Sequence, residues 1–222
     1  MKDTHKLLAA FVACILLGVG IGLIYVKYQN TLAQWFLPKP HVYETSDSAL
    51  ASRLETNRPV DVQWSQLLPA NEKSVLEKYQ QKQASTPTEF ADNILLSLEA
   101  TSDDDYSAAM VSTNSVDTFD NQSVSIAGFI VPIDYNKDKS LSNIFIVPYF
   151  GACLHFPPPP PNQIIFSQLG QGFSDFEITQ AYRLNGVLRR GLFEDPLGTS
   201  AYILDVVSIE PYYEDPDDFR QH

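Results

Sequence analysis

Five consecutive prolines stand inside the chain, Pro157, Pro158, Pro159, Pro160 and Pro161. None carries a backbone N–H, and each holds φ near −65°. The run can therefore enter neither a helix interior nor the middle of a sheet. It predicts a polyproline II rod about 15 Å long. Residues 144–147 before it and 163–167 after it are short apolar runs that read as strands. Two readings of the rod follow. It is either a recognition strip for an aromatic-lined groove or a rigid strap across the end of a barrel. Its place between strands, inside a domain, favours the strap.

The surrounding pattern is that of a β domain. Val124, Ile126 and Ile130 alternate with Ser125, Ala127 and Phe129, and Gly128 stands mid-run where a bulge or bend fits. Residues 181–188 alternate too, with Tyr182, Leu184 and Leu188 on one side and Gly186 as a second mid-strand glycine. Residues 201–209 are β-rich and stop at Pro211. The expected fold class is mainly β: a small five-stranded OB-like barrel over 118–211, with a sandwich as the alternative. Short helices and an N-terminal transmembrane helix precede it. The end, 212–222, reads as an acidic, mobile tail.

Upstream, residues 60–69 carry Trp64 as a candidate to dock into the core. Asn71 is placed to cap a helix reaching about Gln83, with Val75, Leu76 and Tyr79 at helical spacing. A second helix is expected over about 89–100, with Phe90, Ile94, Leu95 and Leu98 on one face. Asp103, Asp104 and Asp105 lack the glycine and distal glutamate of a calcium loop and read as a solvated acidic turn. Residues 61–117 form this lead-in, and 27–60, with scattered prolines, read as a linker.

Residues 7–26 are uncharged and apolar. Twenty residues of helix cover about 30 Å, a bilayer core. The run exceeds the usual signal-peptide core, and Thr31-Leu32-Ala33 is a poor cleavage site, so an uncleaved anchor is favoured over a cleaved signal. Residues 1–6 become a short cytoplasmic tail, and the rest of the chain faces the periplasm of a bacterial inner membrane. Gly18 and Gly22 allow helix pairing, though glycine is common in such helices.

The chain carries a net charge of −12, and −13 without residues 1–26. An acidic surface argues against nucleic acid as a partner. No phosphate-binding loop or Gly-x-Ser-x-Gly elbow is present. Arg183, Arg189 and Arg190 form a basic cluster that either binds an acidic group or, the favoured reading, offsets neighbouring carboxylates.

Cys153 is the single cysteine after residue 26, so an intramolecular disulfide is ruled out there. With His155 it makes a Cys-x-His pair. Thiolate and imidazole suit zinc or copper. They also suit a thiolate nucleophile with a histidine base, which Asn162 would orient. A purely structural thiol is the third reading. Two residues do not complete a tetrahedral site. His41 and His222 lie in segments read as flexible, so a metal site would need carboxylates such as Asp134 or Asp175.

The segment VPYFGACLHFPPPPPNQ resembles the bacterial envelope family named domain of unknown function 3299. The likeness includes residues 124–132 (VSIAGFIVP), Cys153, His155, the proline run, Asn162 and Gln163, and the lead-in residues 62–69 (VQWSQLLP). It covers about 60–210. The resemblance implies an accessory of an ABC-type envelope transport system with a zinc link. The expected function is a membrane-anchored periplasmic binding protein with Cys153 and His155 near its ligand or metal. A thiol enzyme and a structural interaction module are the alternatives.

Overall fold

Local capping sets where the helices begin. The structure, a computed structural model, describes residues 42–80, 86–152, 158–174 and 176–216, with Gly18 and Gly22. The Asp47 carboxylate accepts from the N–H groups of Ala49 and Leu50 and opens α1 (Ser48–Thr56). Helix α2 (Ala70–Lys78) starts after Pro69 rather than at an Asn71 cap. Thr86 and Glu89 form a reciprocal capping box, with Pro87 in the first turn, at the head of α3 (Pro87–Thr101). Asp103 caps α4 (Asp104–Met110), so the three aspartates expected to form a turn start a helix instead. Aspartate is a good N-cap, and acidic residues suit the positive end of the helix dipole.

The stretch read as a linker contributes structure as well. Within it lie β1 (Tyr43–Glu44), α1 and the first residue of β2 (Val60–Asp61). Strand β1 pairs antiparallel with Ser208 and Ile209, and β2 runs parallel to Val124 and Ser125.

The remaining strands are β3 (Gln122–Tyr135), β4 (Leu141–Val147), β5 (Ile165–Phe173), β6 (Ala181–Asp195) and β7 (Gly198–Tyr212). They close a ring in the order β3, β4, β5, β7, β6 and back to β3. Every contact in the ring is antiparallel except β5 against β7. The architecture is mixed α/β, a closed five-stranded barrel preceded by helices, and so more helical than a mainly β class. Strand β7 runs on to Tyr212, the first residue of the stretch expected to form the tail.

Val124, Ile126, Ile130, Ile144, Ile146, Leu184, Leu188 and Leu204 fill the barrel. Trp64 and Leu67 join them from a 3-10 turn (Trp64–Leu67). A second cluster, with Phe145, Val147 and Phe166, lies on alternate residues of β4 and β5, under Tyr149, Ala152 and Ile164. Both faces of β4 are thus buried over residues 144–147, which is why that part of its sequence is continuously apolar. Phe166 and Phe193 stack at 3.6 Å.

The two mid-strand glycines have different uses. At Gly186 the register with β7 shifts, as a bulge requires. At Gly128 pairing with β6 is unbroken. A Cβ there would lie 2.8 Å from the Val147 carbonyl oxygen and 3.0 Å from the Trp64 ring. Glycine is needed for close approach, not for a bend.

Among the described residues no helix is long and apolar enough to cross a membrane. The anchor read at 7–26, with Cys14 and the tail 1–6, lies outside the described residues except for Gly18 and Gly22, both helical and exposed. Residues 40–222 form one compact unit.

Candidate functional site

The connection from β4 to β5, residues 148–164, carries the proline run. Cys153, His155 and Pro157 fall outside the described residues, as do Asp175, His41 and His222. Tyr149 and Ala152 on one side are buried in the second apolar cluster. On the other side Pro158 is exposed, and Pro159 and Pro160 are buried. Pro160 has φ −64° and ψ 157°, polyproline II angles. Pro161 already opens a 3-10 turn (Pro161–Gln163), in which the Gln163 N–H donates to the Pro160 carbonyl at 2.8 Å. The rod therefore ends one proline earlier than a five-residue rod would. Fixed φ tolerates both conformations, and a bond to the carbonyl of Pro160 favours the turn.

Asn162 and Gln163 anchor that end. Asn162 is fully buried, and its Nδ2 donates to Glu72 Oε2 at 2.7 Å and to the Asn114 carbonyl at 3.1 Å. The other Glu72 oxygen accepts from Ser112 Oγ at 2.7 Å and Asn114 Nδ2 at 2.8 Å. Glu72 is only 5% exposed, so these three donors replace its water. Gln163 Nε2 donates to the Trp64 carbonyl at 2.9 Å, and Trp64 Nε1 donates to the Ala127 carbonyl at 2.7 Å. The Tyr202 hydroxyl donates to the Leu67 carbonyl at 2.8 Å and accepts from the Val116 N–H at 2.7 Å. Burial pushes the Tyr202 phenol up to about 12. Gln163 and Tyr202 thus satisfy carbonyls that the Trp64–Leu67 turn cannot pair itself.

One atom in this network stands apart. Asn162 Oδ1 is buried and has no hydrogen-bond partner among the described residues. The Asn162 amide, considered from the sequence as an orienter of His155, spends its nitrogen on Glu72 and the Asn114 carbonyl, and no described residue donates to its oxygen.

Cys153 and His155, the pair expected at a zinc site, lie outside the described residues. A closed site needs four ligands. No group of three or more His, Cys, Asp or Glu side chains gathers among the described residues. Asp134 accepts from Asn143 at 2.9 Å, at the hairpin end of β3 and β4 and away from the proline strap. Glu72 is committed to its three donors. Two of the three arginines, Arg183 and Arg189, follow the offsetting reading. Arg189 makes two bonds to Asp205, at 2.7 and 2.8 Å. Arg183 pairs with Asp61, and the backbone N–H and Nε of Arg190 donate to Asp120 and Ser115.

Glu72, Ser112, Asn114 and Tyr202 escape a reading of the sequence. Glu72 lies in a polar helix with nothing local to mark it as buried. Tyr202 does carry a signal, since it shares the inward face of β7 with Leu204 and Val206.

Fold and site together define a closed five-stranded barrel whose β4–β5 strap is bonded to a helical lead-in through buried amides and one carboxylate. The family described as protein of unknown function (DUF3299) matches residues 64–211, and the chain belongs to that family. The match spans Trp64, Glu72, the β4–β5 connection and the barrel up to Pro211. A crystal structure of a DUF3299 family protein from Pseudomonas aeruginosa PAO1 is similar, with 26% identity and a TM-score of 0.50. The similarity covers 71% of this chain and 99% of that one. No curated protein matches the chain.

Proposed function

We propose that the chain is a non-enzymatic binding and accessory protein of the bacterial envelope, with the β4–β5 strap as its ligand-facing element. In this reading residues 7–26 anchor it in the inner membrane, and an OB-like barrel lies in the periplasm. The apolar run supports the anchor. The ring order, with its single parallel contact between β5 and β7, supports the OB-like assignment. The link to an ABC-type transport system and to zinc rests on the family resemblance.

The observation that carries the binding role is Asn162 Oδ1. Leaving a buried acceptor unpaired costs about 1–3 kcal/mol. Such an acceptor invites a donor from outside the described residues, and that donor would relieve the cost. The same atom favours a second reading, a thiol enzyme in which Asn162 orients His155 and Cys153 is the nucleophile.

The test is made on the full chain, purified without chelator, with bound metal quantified by mass spectrometry and the Cys153 thiol titrated under native conditions. Near-stoichiometric zinc that disappears in Cys153→Ala supports metal handling. A fast-reacting, low-pKa thiol without metal moves the assignment to thiol chemistry. No metal and a thiol that reacts only on denaturation overturns both and leaves a structural strap.

A further inference from the structure

Helix α3 turns its apolar side to water. Phe90, Ile94, Leu95 and Leu98 are 62%, 47%, 63% and 61% exposed. At 100° per residue they share an arc of about 140°. The opposite side, with Asn93, Leu96, Ser97 and Ala100, is the more buried one. This inverts the usual surface helix, whose apolar stripe faces the core. The capping box at Thr86 and Glu89 holds the helix in place independently of that stripe. A contiguous apolar stripe in solvent marks an interaction surface.

Charge narrows what can cover it. From Pro87 to Met110 there are six carboxylates and no lysine or arginine. Asp92 and Glu99 lie at the margin of the stripe, and Asp104 and Asp105 are exposed in the first turn of α4. Lys78 of α2 approaches from the far side, 3.9 Å from Glu99 and 3.1 Å from Asp103. A second copy of this chain would bring like charges against like. An anionic lipid surface would be repelled for the same reason, since surface-seeking helices carry basic polar faces.

We propose that α3 is the docking face for a basic amphipathic helix of a partner protein, one with a Leu- or Phe-rich stripe flanked by Lys or Arg. The apolar stripes would pack as two helices do, and the partner's cations would meet Asp92, Glu99, Asp104 and Asp105. The surface is separate from the strap, so this assignment stands or falls apart from the ligand role given to Asn162.

The probe is a synthetic 18-residue helix with a leucine stripe flanked by lysines, labelled for fluorescence anisotropy. A peptide with glutamates in place of the lysines is the control. The full chain is held in phosphatidylcholine nanodiscs. The lysine peptide is expected to bind and the glutamate peptide not. Replacing Leu95→Ser and Leu98→Ser together should weaken binding about tenfold or more. Asp92→Asn with Glu99→Gln should weaken it about threefold at low salt and flatten the salt dependence. These positions are exposed, so an unchanged thermal melt shows that each variant folds. Equal binding of the glutamate peptide, or binding indifferent to the leucine changes, overturns the proposal. So does a dimer of the chain that Leu95→Ser dissolves, or binding to phosphatidylglycerol vesicles that the lysine peptide does not displace.

Discussion

Gly128 and Trp64 are one unit at the residue scale. The indole lies 3.0 Å from where a Cβ at 128 would be, and its Nε1 is bonded to the neighbouring Ala127 carbonyl. Gly128→Ala must push a strand backbone and a buried ring, neither of which yields cheaply. We expect a loss of about 1–3 kcal/mol, read from denaturant midpoints. Tyr202 acts through hydrogen. Its hydroxyl satisfies two backbone groups, so Tyr202→Phe should cost about 1–3 kcal/mol at neutral pH. Its phenol titrates near 10.0 unfolded and at about 12 folded. The protonated form is therefore the one that folding favours. That stability is fully present below pH 10 and is lost as pH rises to 12. Tyr202→Phe should show a shallower fall across that window in pH-dependent melts. Trp64 was legible as a core anchor from its apolar setting. Its pairing with Gly128 was not, because the two are far apart in the chain.

Helix α3 shows what capping chemistry does for an element with little burial. Thr86→Ala removes the acceptor for the Glu89 N–H, and about 1 kcal/mol of helix stability is expected to go with it. Hydrogen exchange at the amides of 88–92 should quicken, while exchange in the barrel stays as it was. The contact of α2 with α4 depends on Asp103. The Tyr79 hydroxyl, Lys78 Nζ and the Tyr106 N–H hold its carboxyl down to about 2. Its contribution is present above pH 3.8 and is lost as pH falls through about 2. Asp103→Asn should abolish that step in an acid titration followed by tyrosine fluorescence. The box Thr86-Pro87-Thr88-Glu89 at the head of α3 is a local signal, whereas the three aspartates 103–105 read equally well as a turn, and Asp103 became a cap only with α4 in place. The direction of the α3 stripe has no local signal. Periodicity identifies an apolar face but says nothing of whether the fold has core left to receive it.

Over the whole molecule, the strap joins parts that sequence places far apart. Glu72 comes from α2, Asn114 from the segment after α4, Asn162 from the strap, and Tyr202 from the last strand. Glu72→Gln keeps the shape but turns one acceptor into a donor that faces Asn162 Nδ2. We expect about 2 kcal/mol of destabilisation, with lead-in and barrel unfolding in a single transition monitored together by far-UV circular dichroism and tyrosine fluorescence. Two independent transitions would show that the network does not couple them. Residue order alone determined that residues 157–161 lie outside any sheet, that strands flank them, and that helices precede the barrel, because proline geometry, alternation and capping act over a few residues. Ring closure was decided in three dimensions. The parallel contact of Ile165 and Phe166 with Tyr202 and Ile203 joins strands that no local pattern pairs. Burial of Glu72 and its three bonds were decided there too, since whether a polar atom finds a partner depends on everything packed around it.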